Sequence, residues 1–148
     1  MVRCFVLVAV FSLITNLQAD DAKPRPLSKS EAGLVSLSEE LYAAYDKYYT
    51  QAEKITDEKE KEKFYADNDP SAKYVSRLIE FERMHHGTHA GLMAARRLVL
   101  LGAGGGDRDN PRDVGRRHAL KVLRDYANAA ELPDIIRYLY TGNFEPKS

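Results

Sequence analysis

From about Glu31 to the end of the chain, apolar residues recur at steps of three and four with charged residues between them. That step is the period of an α-helix seen from one side, not the strict alternation of a half-buried strand. Leu34, Leu37, Leu41, Tyr45, Tyr48 and Ala52 fall on one stripe and predict a first helix. A shorter helix restarts at Thr56 or Asp57 in "TDEKEKEKFYADN", whose Glu/Lys pairs at i,i+3 each stabilise by about 0.2–0.5 kcal/mol and mark a solvated face. In "NDPSAKYVSRLIEFERM", Asp69 stands as a cap and Pro70 at the first helical position, where its missing N–H costs nothing. Tyr74, Val75, Leu78, Ile79 and Phe81 supply the buried face of that helix. "LMAARRLVLLG" predicts the next, with Leu92, Ala95, Leu98 and Val99 inward and Gly102 as its stop. Asn110 and Pro111 repeat the cap and proline, with Val114, Ala119, Val122, Leu123 and Tyr126 as the apolar face behind them. "LPDIIRYLYTG" closes the series with another proline start and glycine stop.

The fold class predicted is all-α. Pro70 and Pro111, 41 positions apart, each open a helix, a turn and a second helix. That period belongs to two-helix solenoids of the TPR and HEAT kind, in which a hairpin hides its apolar face by stacking on a neighbour. The expected architecture is a short solenoid-like array of helical hairpins after an N-terminal helix, over residues 31–146.

Composition changes the picture mainly at the start. "MVRCFVLVAVFSLITNLQAD" has one early cation at Arg3, an apolar run from Cys4 to about Ile14, and Ala19 before two aspartates. This is the layout of a signal peptide over residues 1–19 with cleavage near Ala19. The run is shorter than the roughly 20 apolar residues a transmembrane helix needs. The mature form is therefore expected to be exported, periplasmic or extracellular, and not membrane-embedded. "DDAKPRPLSKS", residues 20–30, reads as a disordered lead-in. Cys4 is the only cysteine, so cleavage would leave no thiol for disulfide, nucleophile or metal. The chain carries 22 basic and 22 acidic residues, without the basic excess of a nucleic-acid binder.

The succession "ELYAAYDKYYTQAEKITDEKEKEKFYADNDPSAKYVSRLIEFERMH", a short turn, "AGLMAARRLVLLG", and "HALKVLRDYANAAELPDIIRYL" resembles the helical region ahead of the thioredoxin-like domain in exported bacterial proteins of the TlpA/redoxin type. The resemblance covers roughly residues 36–146 and rests on helix order, the acidic TDE restart, the Asp-Pro opening and the final leucine-rich helix. In that family the redox chemistry lies in the downstream domain, usually in a Cys-x-x-Cys pair. The resemblance therefore implies a non-catalytic accessory domain without a cofactor. Its partner would be a protein, or the thioredoxin-like domain of its own family. A stand-alone helical interaction module is the alternative, and a histidine-rich metal-binding protein a third.

That third reading rests on "FERMHHGTHAGLMAARR", where three of the four histidines, His85, His86 and His89, fall within five positions. On one continuous helix, His85 and His89 at i,i+4 would aim two imidazoles at one ion. Gly87 followed by Thr88 is instead how one helix stops and the next is capped, and no nearby carboxylate has diagnostic ligand spacing. The stretch is read as a hairpin turn with no metal site, depending on Gly87 and Thr88 rather than on imidazole. His118, four residues from both Val114 and Val122, is expected as a satisfied histidine at the core's edge. The glycine run after Leu101 lacks the third glycine of a dinucleotide loop, since Asp107 stands there. Asp107, Asp109, Asn110 and Asp113 offer calcium-type oxygens without EF-hand spacing. Tyr42, Tyr45, Tyr48, Tyr49, Tyr138 and Tyr140 read as the rim of a helical core.

Overall fold

The computed structural model describes residues 25–102 and 110–141. Residues 1–24, including the stretch read as a signal peptide with cleavage expected near Ala19, the run from 103 to 109 with Asp107 and Asp109, and the tail from 142 lie outside the described residues.

Among the described residues six α-helices follow in order: α1 (Lys29–Ala52), α2 (Glu58–Asn68), α3 (Ser71–Met84), α4 (His89–Leu101), α5 (Pro111–Val122) and α6 (Leu132–Thr141). A 3-10 turn, Leu123–Tyr126, continues α5. No strand occurs among the described residues. Nor is any described helix long and apolar enough to cross a membrane.

The helix starts are set by side chains that satisfy the first free N–H groups. Ser28 and Glu31 form a reciprocal capping box on α1, which begins at Lys29, two residues ahead of the expected start. Arg25, in the segment ahead of the helix, pairs with Glu31 at 2.5 Å. Asp57 accepts from the Glu60 N–H, Thr88 from the Gly91 N–H and Asn110 from the Arg112 N–H. Pro70 sits one position before α3 proper, and Asp69 caps that helix through the Ser71 N–H at 2.8 Å. Gly102 ends α4 in a right-handed conformation, φ −81°, rather than a left-handed one. Its requirement is space: a Cβ there would lie 2.5 Å from the Cβ of Arg116.

One core joins the helices. α4 packs against both α3 and α5, and α3 also meets α5; α1 lies across α3 and α4, α2 turns back onto α1, and α6 rests on α4. Leu78, Leu92, Leu98, Val99 and Ile135 are fully buried, each contributing about 1.5–3 kcal/mol by leaving water. α5 corrects the sequence reading. Val114 points outward, 41% exposed, while Gly115 and Ala119 face the core. Glycine at 115 lets the α5 backbone approach α3 and α4, where a Cβ would lie 2.9 Å from Val75 Cγ1 and 3.0 Å from Leu98 Cδ2. The tyrosines divide: Tyr48 is buried with its hydroxyl on the Tyr65 carbonyl, Tyr45 is half-buried, and Tyr42 and Tyr49 are exposed.

Candidate functional site

The histidine stretch is the turn between α3 and α4. α3 ends at Met84, and Gly87 takes φ +76°, the only positive value found among the described residues. The His85 carbonyl accepts from the Thr88 N–H at 3.1 Å and the Thr88 hydroxyl at 2.6 Å. This leaves Gly91 so close that a Cβ there would sit 2.3 Å from the same carbonyl oxygen. Gly87 and Thr88 thus do what the sequence assigned to them.

The imidazoles diverge. His85 packs on the Phe81 ring, centroids 4.4 Å apart. His86 places Nδ1 2.6 Å from Glu82 Oε1 and Nε2 3.5 Å from Asp125 Oδ2. His89 places Nδ1 2.9 Å from Glu31 Oε1 and Nε2 3.2 Å from Glu131 Oε1. Among the described residues, no three His, Cys, Asp or Glu side chains are placed to hold a metal ion.

The stretch does, however, organise a buried polar centre that the sequence reading missed. Glu82 is 1% exposed and accepts from three side chains. His86 reaches Oε1, His118 Nε2 lies 2.8 Å from Oε2, and the Tyr126 hydroxyl donates to Oε1 at 3.2 Å. An ionised carboxylate only accepts, so the proton sits on Nδ1 of His86 and on Nε2 of His118. The Tyr126 hydroxyl in turn accepts the Gly87 N–H at 3.1 Å, tying the turn to the end of α5. Burial works to raise the Glu82 pKa, but the hydrogen bonds from His86, His118 and Tyr126 outweigh it and hold the carboxyl below its ordinary value. Burial, together with the neighbouring Glu82 charge, pushes the Tyr126 phenol up to about 12 despite the Gly87 N–H. Glu31 is held well below the usual carboxylate range by Arg25 and the Ser28 cap, with His89 adding to them.

Beyond the turn itself, His86 pairs with Glu82 on α3, and His89 on α4 pairs with Glu31 on α1 and with Glu131 just ahead of α6. His118 is the satisfied core-edge histidine expected. One signal for Glu82 was present. It lies at the helical phase of Val75 and Leu78, four residues before His86, where a charge on an apolar face needs partners. Of the other oxygen-rich group, Asn110 caps α5 and Asp113 pairs with Arg117, while Asp107 and Asp109 lie outside the described residues.

Beside the turn lies an open cleft of about 300 Å³ lined by Thr88, His89, Asp125, Asn128 and Glu131 among others. A second of about 450 Å³ lies between α1 and α3 at Gly33, Phe81 and His85. Comparison with family models, curated proteins and solved structures finds no match to this chain.

Proposed function

We propose that the chain is an exported, non-catalytic helical accessory domain of the kind that precedes a thioredoxin-like domain, acting as a scaffold rather than as an enzyme. The observation that carries this reading is the use of the histidine turn. The side chains with most chemical potential are engaged in joining helices: His86 and His118 on Glu82, His89 on Glu31 and Glu131. The matching openings at Asp69-Pro70 and Asn110-Pro111 support a repeat-like relation between the two halves.

Two measurements test the reading. Purified residues 20–148 are expected to leave insulin disulfides unreduced, and catalytic turnover would overturn it. Calorimetric titration with zinc is expected to show no stoichiometric submicromolar binding; such binding, abolished by changing His85, His86 and His89 to Gln, would make the turn a metal site instead. Binding to an exported thioredoxin-like domain in the same calorimeter would favour the accessory role over a stand-alone module.

A further inference from the structure

His86 and His89 share a geometry that a hairpin turn does not require: each ring stands between two carboxylates. His86 has Glu82 of α3 at Nδ1 and Asp125 of the 3-10 turn at Nε2, 2.6 and 3.5 Å away. His89 has Glu31 of α1 at Nδ1 and Glu131, just ahead of α6, at Nε2, 2.9 and 3.2 Å away. A neutral imidazole carries one N–H, so it donates to one of its two carboxylates and turns a lone pair on the other. The imidazolium carries two and satisfies both.

The far partners belong to one stretch of chain. Asp125 and Glu131 stand at the ends of residues 125–131, and with Asn128 they face Thr88 and His89 across the open cleft of about 300 Å³. The two histidine bridges therefore tie this stretch to the turn from two points.

We propose that His86 and His89 form a proton-operated clasp: protonated, they close residues 125–131 onto the α3–α4 turn, and neutral, each releases one carboxylate and the cleft widens. The step falls in the range where imidazole titrates, about pH 5–8, with the closed form at its acid end. The surrounding groups do not change over that range. Glu82 also receives Tyr126 and His118 of α5, and Glu31 also receives Arg25 and the Ser28 cap. Both carboxyls are held below their ordinary values and stay charged from about pH 5 upward. Tyr126, its ring 5.4 Å from that of His86, is pushed up to about 12 and stays neutral. Arg124 lies 3.6 Å from the other Asp125 oxygen, and Arg96 of α4 feels the charge of Glu131; both are cations throughout. His118 needs a single N–H, on Nε2, for its contact with Glu82, and either of its states supplies it.

Amide exchange of the protein at about pH 5.5 and about pH 8, each corrected for the intrinsic exchange rate, tests this. The reporters are the Ala129 and Leu132 amides, bonded to the Tyr126 and Ala129 carbonyls. Their protection is expected to be at least about twofold greater at the lower pH, the scale of an exposed ion pair. Asp125→Asn with Glu131→Gln keeps both histidines and the turn but removes the far carboxylates, and should abolish the difference. His86→Gln with His89→Gln, which leaves side chains that do not titrate, should do the same. Equal protection at both pH values, or a difference that survives in either double variant, would overturn the proposal.

Discussion

A carboxylate with 1% of its surface exposed is costly to bury unless its partners outweigh the lost hydration, and Glu82 has three of them. Glu82→Ala strands the donors of His86, His118 and Tyr126 together and is expected to cost about 3–5 kcal/mol in urea unfolding. His118→Gln, which disturbs one donor, should cost about 1–3 kcal/mol. The pH dependence has a definite sign. Because the Glu82 pKa is lower in the folded protein, the unfolded chain binds the proton more readily in the acid range. Its contribution is fully present above the unfolded carboxyl pKa of about 4.3 and disappears as pH falls through the lower folded value. Glu82→Gln should therefore flatten the acid limb of the stability profile. A limb of unchanged slope would show that other carboxyls govern it.

At the scale of elements, three glycines inside helices separate according to what their missing Cβ would meet. Gly91→Ala drives a methyl onto the His85 carbonyl and the Tyr126 hydroxyl at 2.3 and 2.5 Å, a collision involving fixed backbone. Gly115→Ala meets the Val75 and Leu98 side chains at 2.9 and 3.0 Å, a milder approach that side chains rather than backbone must absorb. Overpacking of this kind costs about 1–3 kcal/mol, and thermal melts are expected to place Gly91→Ala at or beyond the upper end and Gly115→Ala below it. Gly33→Ala meets only the Phe81 ring at 3.5 Å and should gain up to about 1 kcal/mol of helix propensity. The same contrast explains what could be read from the sequence. Caps and prolines are local, and Thr88 and Asn110 are visible without knowing the fold. The phase of α5 was not, because periodicity counts apolar bulk and assigns Val114 inward. Close helix packing instead selected the residue with no side chain at all, Gly115. Glu82 was legible only as a charge out of place, since its partner His118 lies 36 positions away and is chosen by packing.

Across the whole molecule, Leu78, Leu98 and Leu123 come from α3, α4 and the 3-10 turn into one core. Truncating any one to Ala should cost about 2–5 kcal/mol, a large part of the 5–15 kcal/mol that holds a typical domain together. Calorimetry should show lowered melting temperatures for all three, whereas Val114→Ser, on the exposed side of α5, should leave the melt nearly unchanged. Pairings between distant segments reinforce that core. Asp69 receives the Arg112 guanidinium at 2.9 Å while Tyr45 bonds both, gathering α1 with the starts of α3 and α5. Such ties lie beyond periodicity, which sees each helix by itself. The bond from the Gly87 N–H to the Tyr126 hydroxyl gives this cooperation a built-in clock. The amide belongs to a tight turn, yet its acceptor arrives from 39 residues further along the chain. Its rate of exchange with heavy water therefore times the lifting of the 3-10 turn from the α3–α4 hairpin, not the fraying of the hairpin itself. Tyr126→Phe should let that proton exchange freely while the Leu92 amide, bonded within its own turn to the Thr88 carbonyl, keeps its pace.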